Sequence, residues 1–334
     1  MVQCRKPFRS TVSTELTVDC LTGPGHVILS LQRPIRVEQG DFPMDTSFTN
    51  TLENIAQAGR YDDVDWGSLT NAERARWLEV EGFLVMPDLI SPDVLTTVRE
   101  ELDQLELIPR DYSEFTRGNA EGPWLECPET SKLMALPEVT GFLEDLFGDE
   151  LICNSCGYDV SLPGHPGIAI HTDAQPYGSE IFGVQASSPV LIRVLFYLDD
   201  LTPERAPFKV IPRSHLSLHR DGNPYNRYLA HDGERMVNCQ AGSAVLINQK
   251  VFHGNYPNHS DSQRRLLAYA YRPTWAGPIG KIENWDPEKV AAMPPDVQAL
   301  MGDLNTLDID FDVPNRPDGM PESADGIHPD RWEN

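Results

Sequence analysis

The sequence predicts an α+β protein in which a helical layer packs on an antiparallel β-core. Three observations carry this. Between Leu69 and Phe147 apolar residues recur at helical spacing behind capping residues. After Gly148 the texture changes to short apolar or alternating runs. Gly and Pro punctuate those runs throughout, which suits turns between strands. Helices come first and strands later, the order of an α+β chain and not of alternating βα units.

The elements follow in order. Residues 1–45 hold Pro7, Pro24, Pro34 and Pro43 without a sustained period and read as an N-terminal extension; Val27–Leu31 reads as a short strand within it. Thr70-Asn71 cap a helix that ends at Gly82, since a glycine accepts the left-handed backbone of a helix stop. Phe83–Met86 follows as a short strand. Ser91 and Pro92 start a second helix at N-cap and N1, with Val94, Leu95, Val98, Leu102 and Leu105 on one face. A third helix runs from Glu138 to Phe147 and stops at Gly148. Strands are then expected at Leu151–Leu162, Ile168–His171, Val190–Leu198, Phe208–Ile211, Ala244–Ile247 and Leu266–Tyr271. Residues 286–334 read as one helical stretch, Pro294–Met301, and an acidic tail.

Charge excludes whole classes of partner. The chain of 334 residues has 27 Lys and Arg against 51 Asp and Glu, a net charge of −24. Nucleic-acid phosphates and anionic membranes are bound by clusters of Lys and Arg. No basic stripe is present, so no nucleic acid and no membrane is expected as a partner. No run of about 18 apolar residues exists to span a bilayer. Six cysteines do not make a disulfide framework. Cys153 and Cys156 have redox-motif spacing but lie in an apolar run, where buried thiols are common. A reducing, cytoplasmic setting is expected.

One motif carries chemistry. His171-Thr-Asp173 closes the apolar run Pro166–His171. In a strand, residues i and i+2 point to one face, about 6–7 Å apart along the backbone at ~3.3 Å per residue. An imidazole and a carboxylate so placed suit one metal ion. A second apolar run ends in Lys250-Val-Phe-His253, so His253 supplies a third ligand from a neighbouring strand. Two histidines and one carboxylate on one face leave the opposite face open, the arrangement of non-haem Fe(II) oxygenases. His-X-Asp alone occurs in many surface loops. Its company raises it: Arg264 enters the strand that follows, where its guanidinium can take a carboxylate of a dicarboxylate cosubstrate bidentately. Arg265 points to the other face and reads as solvated.

These residues, with others in order, resemble the phytanoyl-CoA dioxygenase family of Fe(II)- and 2-oxoglutarate-dependent oxygenases over roughly residues 69–275. Leu69 to Val94 resembles the family's opening helix, strand and helix. His171-Thr-Asp173 matches its first two iron ligands. Phe208-Lys-Val-Ile-Pro-Arg-Ser-His215 resembles its Pro-Gly-Ser-His segment. His253-Gly-Asn255 matches the distal histidine with its Gly and Asn, and Arg264 falls at the cosubstrate arginine.

The resemblance implies a double-stranded β-helix, or jelly roll, in a domain spanning residues 46–285. It implies Fe(II) on His171, Asp173 and His253, 2-oxoglutarate on Arg264, O₂ as oxidant, and hydroxylation of a small molecule with release of succinate and CO₂. Asp173 also disfavours halogenation, since related halogenases have Gly or Ala there. The sequence departs from the pattern in places. Ile168 stands where a Gln is common, Arg205-Ala-Pro207 replaces an Asn-Gly turn, and Arg213 replaces a Gly. Arg193 alternates with Leu191 and Leu195, points inward, and reads as a partner for 2-oxoglutarate, an anionic substrate or a core carboxylate. His215 reads as a structural hydrogen-bonder, and His219, His231 and His259 as solvated. Trp124, Gln175, Tyr177 and Asn255 are further candidates for the pocket wall. The competing reading is a catalytically silent jelly-roll module that binds a small molecule or another metal. The triad together with Arg264 argues against it, and no HExxH signature supports a zinc hydrolase.

Overall fold

The computed structural model describes residues 59–109, 116–148, 150–173, 191–216, 225, 229–274 and 286–301. All of them belong to the compact unit Thr46–Asn334. The extension with Val27–Leu31 lies outside the described residues, as do Gln175, Tyr177, His219 and the tail from 302.

Among the described residues, twelve strands form two sheets. They are β1 (Gly59–Arg60), β2 (Phe83–Met86), β3 (Ile108–Pro109), β4 (Arg117–Glu121), β5 (Leu151–Ser161), β6 (Ile168–His171), β7 (Ile192–Tyr197), β8 (Phe208–Ile211), β9 (Arg235–Val237), β10 (Ala244–Asn248), β11 (Phe252–Asn255) and β12 (Arg264–Pro273). The large sheet runs β2-β10-β7-β12-β5-β4-β3 and the small one β1-β9-β8-β11-β6. Only β1 and β9, among the described strands, pair in parallel.

Side-chain alternation explains how the layers stack. Leu195, Tyr197, Val245, Ile247, Leu266 and Ala268 from the large sheet pack on Phe208, Val210 and Val237 of the small one. This is the interior of a double-stranded β-helix, as the sequence implies. Residues one step along, Val194, Phe196, Leu246, Leu267 and Tyr269, face out and meet the helices Pro92–Leu102 and Pro137–Phe147 through Val98, Leu102, Val139, Phe142 and Leu143.

Local chemistry sets the helix ends. Thr70 and Glu73 form a reciprocal capping box. The helix Asn71–Arg76 then widens over Trp77–Glu81, with Gly82 N–H donating to Trp77 O at 2.9 Å. Gly82 has φ 88°, and a Cβ there would meet His215 Nδ1 and Val251 Cγ2 at 2.7 Å. Two departures from the family's glycines also fall in the left-handed region, Ala206 at φ 45° and Arg213 at φ 65°. Each is held by its surroundings. Arg205 donates to Gln263 O at 2.9 Å, and the Arg213 fork grips both oxygens of Glu81.

Two expectations change. Arg265 is not solvated: its guanidinium pairs with Asp103 at 2.8 Å and Asp199 at 3.0 Å, tying sheet to helix. The stretch from 286 forms two short helices, Pro287–Ala291 and Pro295–Ala299. Met293, Val297, Leu300 and Met301 join the main core, and Leu300 O accepts from Cys153 N–H at 2.8 Å. Cys153 and Cys156 both face it, because an irregularity in the β5–β12 register puts residues three apart on one face. Burial pushes the Cys153 thiol up to about 12.

Candidate functional site

The site lies between the sheets at the β6–β11 pair. His253 stands directly across from His171 in that antiparallel ladder, so both imidazoles enter the interior. Their rings are 4.4 Å apart, and Phe208 stacks on His253 at 5.9 Å. Each ring is anchored alike. His171 Nδ1 lies 2.9 Å from Ala169 O and His253 Nδ1 lies 3.1 Å from Val251 O, in each case the carbonyl two residues back. A carbonyl only accepts, so Nδ1 carries the proton and Nε2 keeps its lone pair for the cavity.

Asp173 arrives by a different route from the one its spacing suggests. β6 ends at His171, and Asp173 is placed by its backbone N–H donating to Gln249 O at 2.9 Å. Its carboxylate then sits 3.8 Å from His171 Nε2 and 3.5 Å from His253 Nε2. One ligand atom from each residue fits within 4.8 Å of the others. Burial raises the Asp173 carboxyl pKa, but its electrostatic interaction with His253, Arg193 and His171 outweighs burial and holds the group below the usual range.

Arg193 shares the interior face with Leu195 and Tyr197, as its alternation predicts. Its Nε lies 2.8 Å from Asp173 Oδ2 without hydrogen-bond alignment, so both atoms are buried and lack a hydrogen bond. Of the partners open to it in the sequence, the structure shows a carboxylate, that of the triad itself.

Arg264 begins β12 opposite Ser161 of β5 and is 1 % exposed. Its Nη2 donates to Ser161 Oγ at 3.0 Å, and its guanidinium carbon lies 5.7 Å from the centre of the Tyr197 ring. Nε and Nη1 are buried without partners, and among the described residues no carboxylate lies at ion-pair distance. Burial pulls its pKa down. An interior guanidinium with two unmet donors calls for an anion.

The remaining candidates divide. His215 is buried, with Nε2 2.9 Å from Glu79 O, and holds β2's entry to the segment after β8. His259 is exposed and His231 stacks edge-on with Tyr225. Asn255 is buried on β11, its amide donating to Ala206 O at 3.4 Å. The sequence reading misses Ser161, which accepts from Arg264, and Asn258 and His165, which hydrogen-bond in series behind it; the short distance in sequence from Ser161 to the His171 motif was the available signal.

Comparison with known proteins bears on this geometry. Residues 78–266, more than half of the chain, match phytanoyl-CoA dioxygenase (PhyH). "Dioxygenase trt7" of Aspergillus terreus is 22% identical, covering 69% of this chain and 83% of its own. L-proline trans-4-hydroxylase of Streptomyces griseoviridis is 23% identical, covering 57% and 82%. The fold is similar to the crystal structure of HygX from Streptomyces hygroscopicus with nickel, 2-oxoglutarate and hygromycin B bound. That match has a TM-score of 0.54, 18% identity, and coverage of 66% of this chain and 94% of that one. The chain belongs to the phytanoyl-CoA dioxygenase family of Fe(II)- and 2-oxoglutarate-dependent oxygenases.

Proposed function

We propose that this dioxygenase holds Fe(II) on His171, Asp173 and His253, seats the far carboxylate of 2-oxoglutarate on Arg264, and hydroxylates a small-molecule substrate. One observation carries the reading: three ligand atoms meet inside the barrel, with both imidazoles already locked in the metal-binding tautomer. The residues fit the ion. Asp173 Oδ2 is a buried oxygen without a hydrogen bond, and two histidines with one carboxylate leave coordination positions open.

When bound, Fe(II) and 2-oxoglutarate supply O₂ activation coupled to release of succinate and CO₂. The chain's own residues do the rest. Ala169 O and Val251 O fix the imidazole planes. Arg193, its Nε 2.8 Å from Asp173 Oδ2, holds that carboxylate ionised beside the two imidazoles. Arg264 offers Nε and Nη1 to an anion in a buried setting. Phe208, Leu195 and Ile247 make the surroundings apolar, which excludes water from the reacting centre. The oxygenase domain takes in residues 46–301, including the helices after 286. Cys127, Cys153, Cys156 and Cys239 form no disulfide among the described residues, and no described helix is long and apolar enough to cross a membrane.

The test is release of succinate from 2-oxoglutarate with Fe(II). Wild type is expected to turn over, and Asp173→Ala to lose both turnover and metal binding. Absence of iron-dependent 2-oxoglutarate binding in the wild type would return the protein to a silent jelly-roll module.

A further inference from the structure

The Arg264 end of the barrel contains a buried group that the reading above leaves unused. His165 lies on the connection between β5 and β6 and is fully buried. Its Nδ1 accepts a hydrogen bond from the Gly167 backbone N–H at 3.2 Å, so the proton of the neutral ring sits on Nε2. That Nε2 is buried without a partner.

The connection is tied to Ser161, the hydrogen-bond partner of Arg264, through Asn258. Gly164 N–H donates to Asn258 O, and Asn258 N–H to His165 O, both at 2.9 Å. The Asn258 amide donates to Ser161 O at 3.0 Å and Ser262 O at 2.9 Å. Ser161 is the residue whose hydroxyl accepts from Arg264. Burial, then the Arg264 and Arg117 charges, push the His165 pKa down to about 3, which keeps the ring neutral. Among the described residues, three buried N–H donors here lack an acceptor: Arg264 Nε, Arg264 Nη1 and His165 Nε2. The nearby carboxylate of Asp159 is engaged by Arg117 at 2.7 Å.

We propose that His165 Nε2–H is a second donor to the far carboxylate of 2-oxoglutarate, shared with Arg264. This rests on the reading that Arg264 takes that carboxylate. A neutral donor adds a hydrogen bond to the anion without placing a second buried charge beside the guanidinium.

Two variants separate this role from a structural one. Asn at 165 keeps an acceptor near the place of Nδ1 but has no donor at Nε2. Gln puts an amide N–H near Nε2 and gives up the Nδ1 acceptor. Calorimetry on the Ni(II)-loaded full chain would compare 2-oxoglutarate with 2-oxopentanoate, which has a methyl in place of the far carboxylate. Circular dichroism melts would confirm that each variant is folded. His165→Asn should weaken 2-oxoglutarate about ten- to a hundredfold, the range for a hydrogen bond to a charged group, and leave 2-oxopentanoate unchanged. His165→Gln should keep most of the preference. The reverse order, an equal loss for both ligands, or no change in either variant would overturn the inference. Arg264→Met tells the two failures apart. Preference lost there but intact in His165→Asn sinks the His165 role alone. Preference surviving in Arg264→Met sinks the Arg264 reading.

Discussion

A methyl group on Gly254 should break the site without touching a proposed ligand. Gly254 follows His253 in β11, where the pairing with β6 is irregular: His253 faces His171, but Asn255 faces Ile168. The β6 backbone closes over that glycine. A Cβ on it would overlap the Ile168 carbonyl oxygen and lie 3.2 Å from the Ala169 carbonyl carbon and oxygen. These are backbone atoms, which cannot swing aside as a side-chain end would. Restoring an ordinary C···O separation of about 3.3–3.6 Å requires the strands to part by roughly 1 Å. That displacement acts on the ladder that sets His171 against His253, and a misplacement of about 1 Å near a reacting centre can cost on the order of 10²-fold. Gly254→Ala should therefore weaken Ni(II) or Fe(II) binding by roughly 10–100-fold and lower stability by about 1–3 kcal/mol. Metal titration followed by calorimetry, with urea unfolding alongside, reads both. A Gly254→Ala protein with wild-type metal affinity and unchanged stability would refute the reasoning.

Other outcomes follow from the same structure. Asp199 is buried among Arg99, Arg205 and Arg265 at 3.5, 3.3 and 3.0 Å, so Asp199→Asn should destabilise by about 3–5 kcal/mol in urea; a loss within 1 kcal/mol would mean the cluster is worth no more than a surface pair. The thiols of Cys127, Cys153 and Cys239 are pushed up to about 11, 12 and 12, so at pH 8 they stay protonated and should resist iodoacetamide until the protein is unfolded, as peptide mass mapping would show. Arg264→Met should raise the melting temperature of the ligand-free protein by removing an unpaired buried charge. It should also abolish the stabilisation that 2-oxoglutarate gives, about 2.7 kcal/mol at a hundred times Kd; a lower melting temperature in the variant would count against the orphaned guanidinium.

Sequence made the fold legible where the signals are local. The Thr70–Glu73 box, Ser91 before Pro92, and Gly82 and Gly148 with positive φ all mark helix ends by their own chemistry. Strands β5, β6, β7, β8, β10 and β12 were readable because their apolar runs are buried. β4 was not: Arg-Gly-Asn-Ala-Glu has little strand preference, and its pairing with β5 holds it in place. The triad and Arg264 were legible as residues, since each closes or opens an apolar run. Their arrangement was not. Nothing near Asp173 shows that Gln249 O positions it, and alternation puts Arg265 outside without showing that Asp103 waits there. The family's glycine after the distal histidine gains its reason only from the β6 backbone that covers it.

The net charge of −24 bears on how a dicarboxylate is held at all. Most interior or half-buried cations here are matched: Arg99, Arg205 and Arg265 to Asp199, Arg117 to Asp159, Lys209 to Glu234 at 3.6 Å. Among the described residues Arg264 has no carboxylate at ion-pair distance, in a chain with nearly twice as many acids as bases. At long range the acidic surface repels an incoming dianion. Affinity must therefore come from short, desolvated contacts inside the barrel. Salt acts unequally on these two terms. It screens the surface repulsion over a Debye length of about 8–10 Å but hardly reaches a buried guanidinium. Raising ionic strength from about 0.01 M to 0.15 M, where the Debye length falls from roughly 30 Å to 8 Å, should thus leave 2-oxoglutarate affinity unchanged or improve it. A steep loss of affinity with salt would mean that exposed cations gather the cosubstrate, and that the buried arginine is not what selects it.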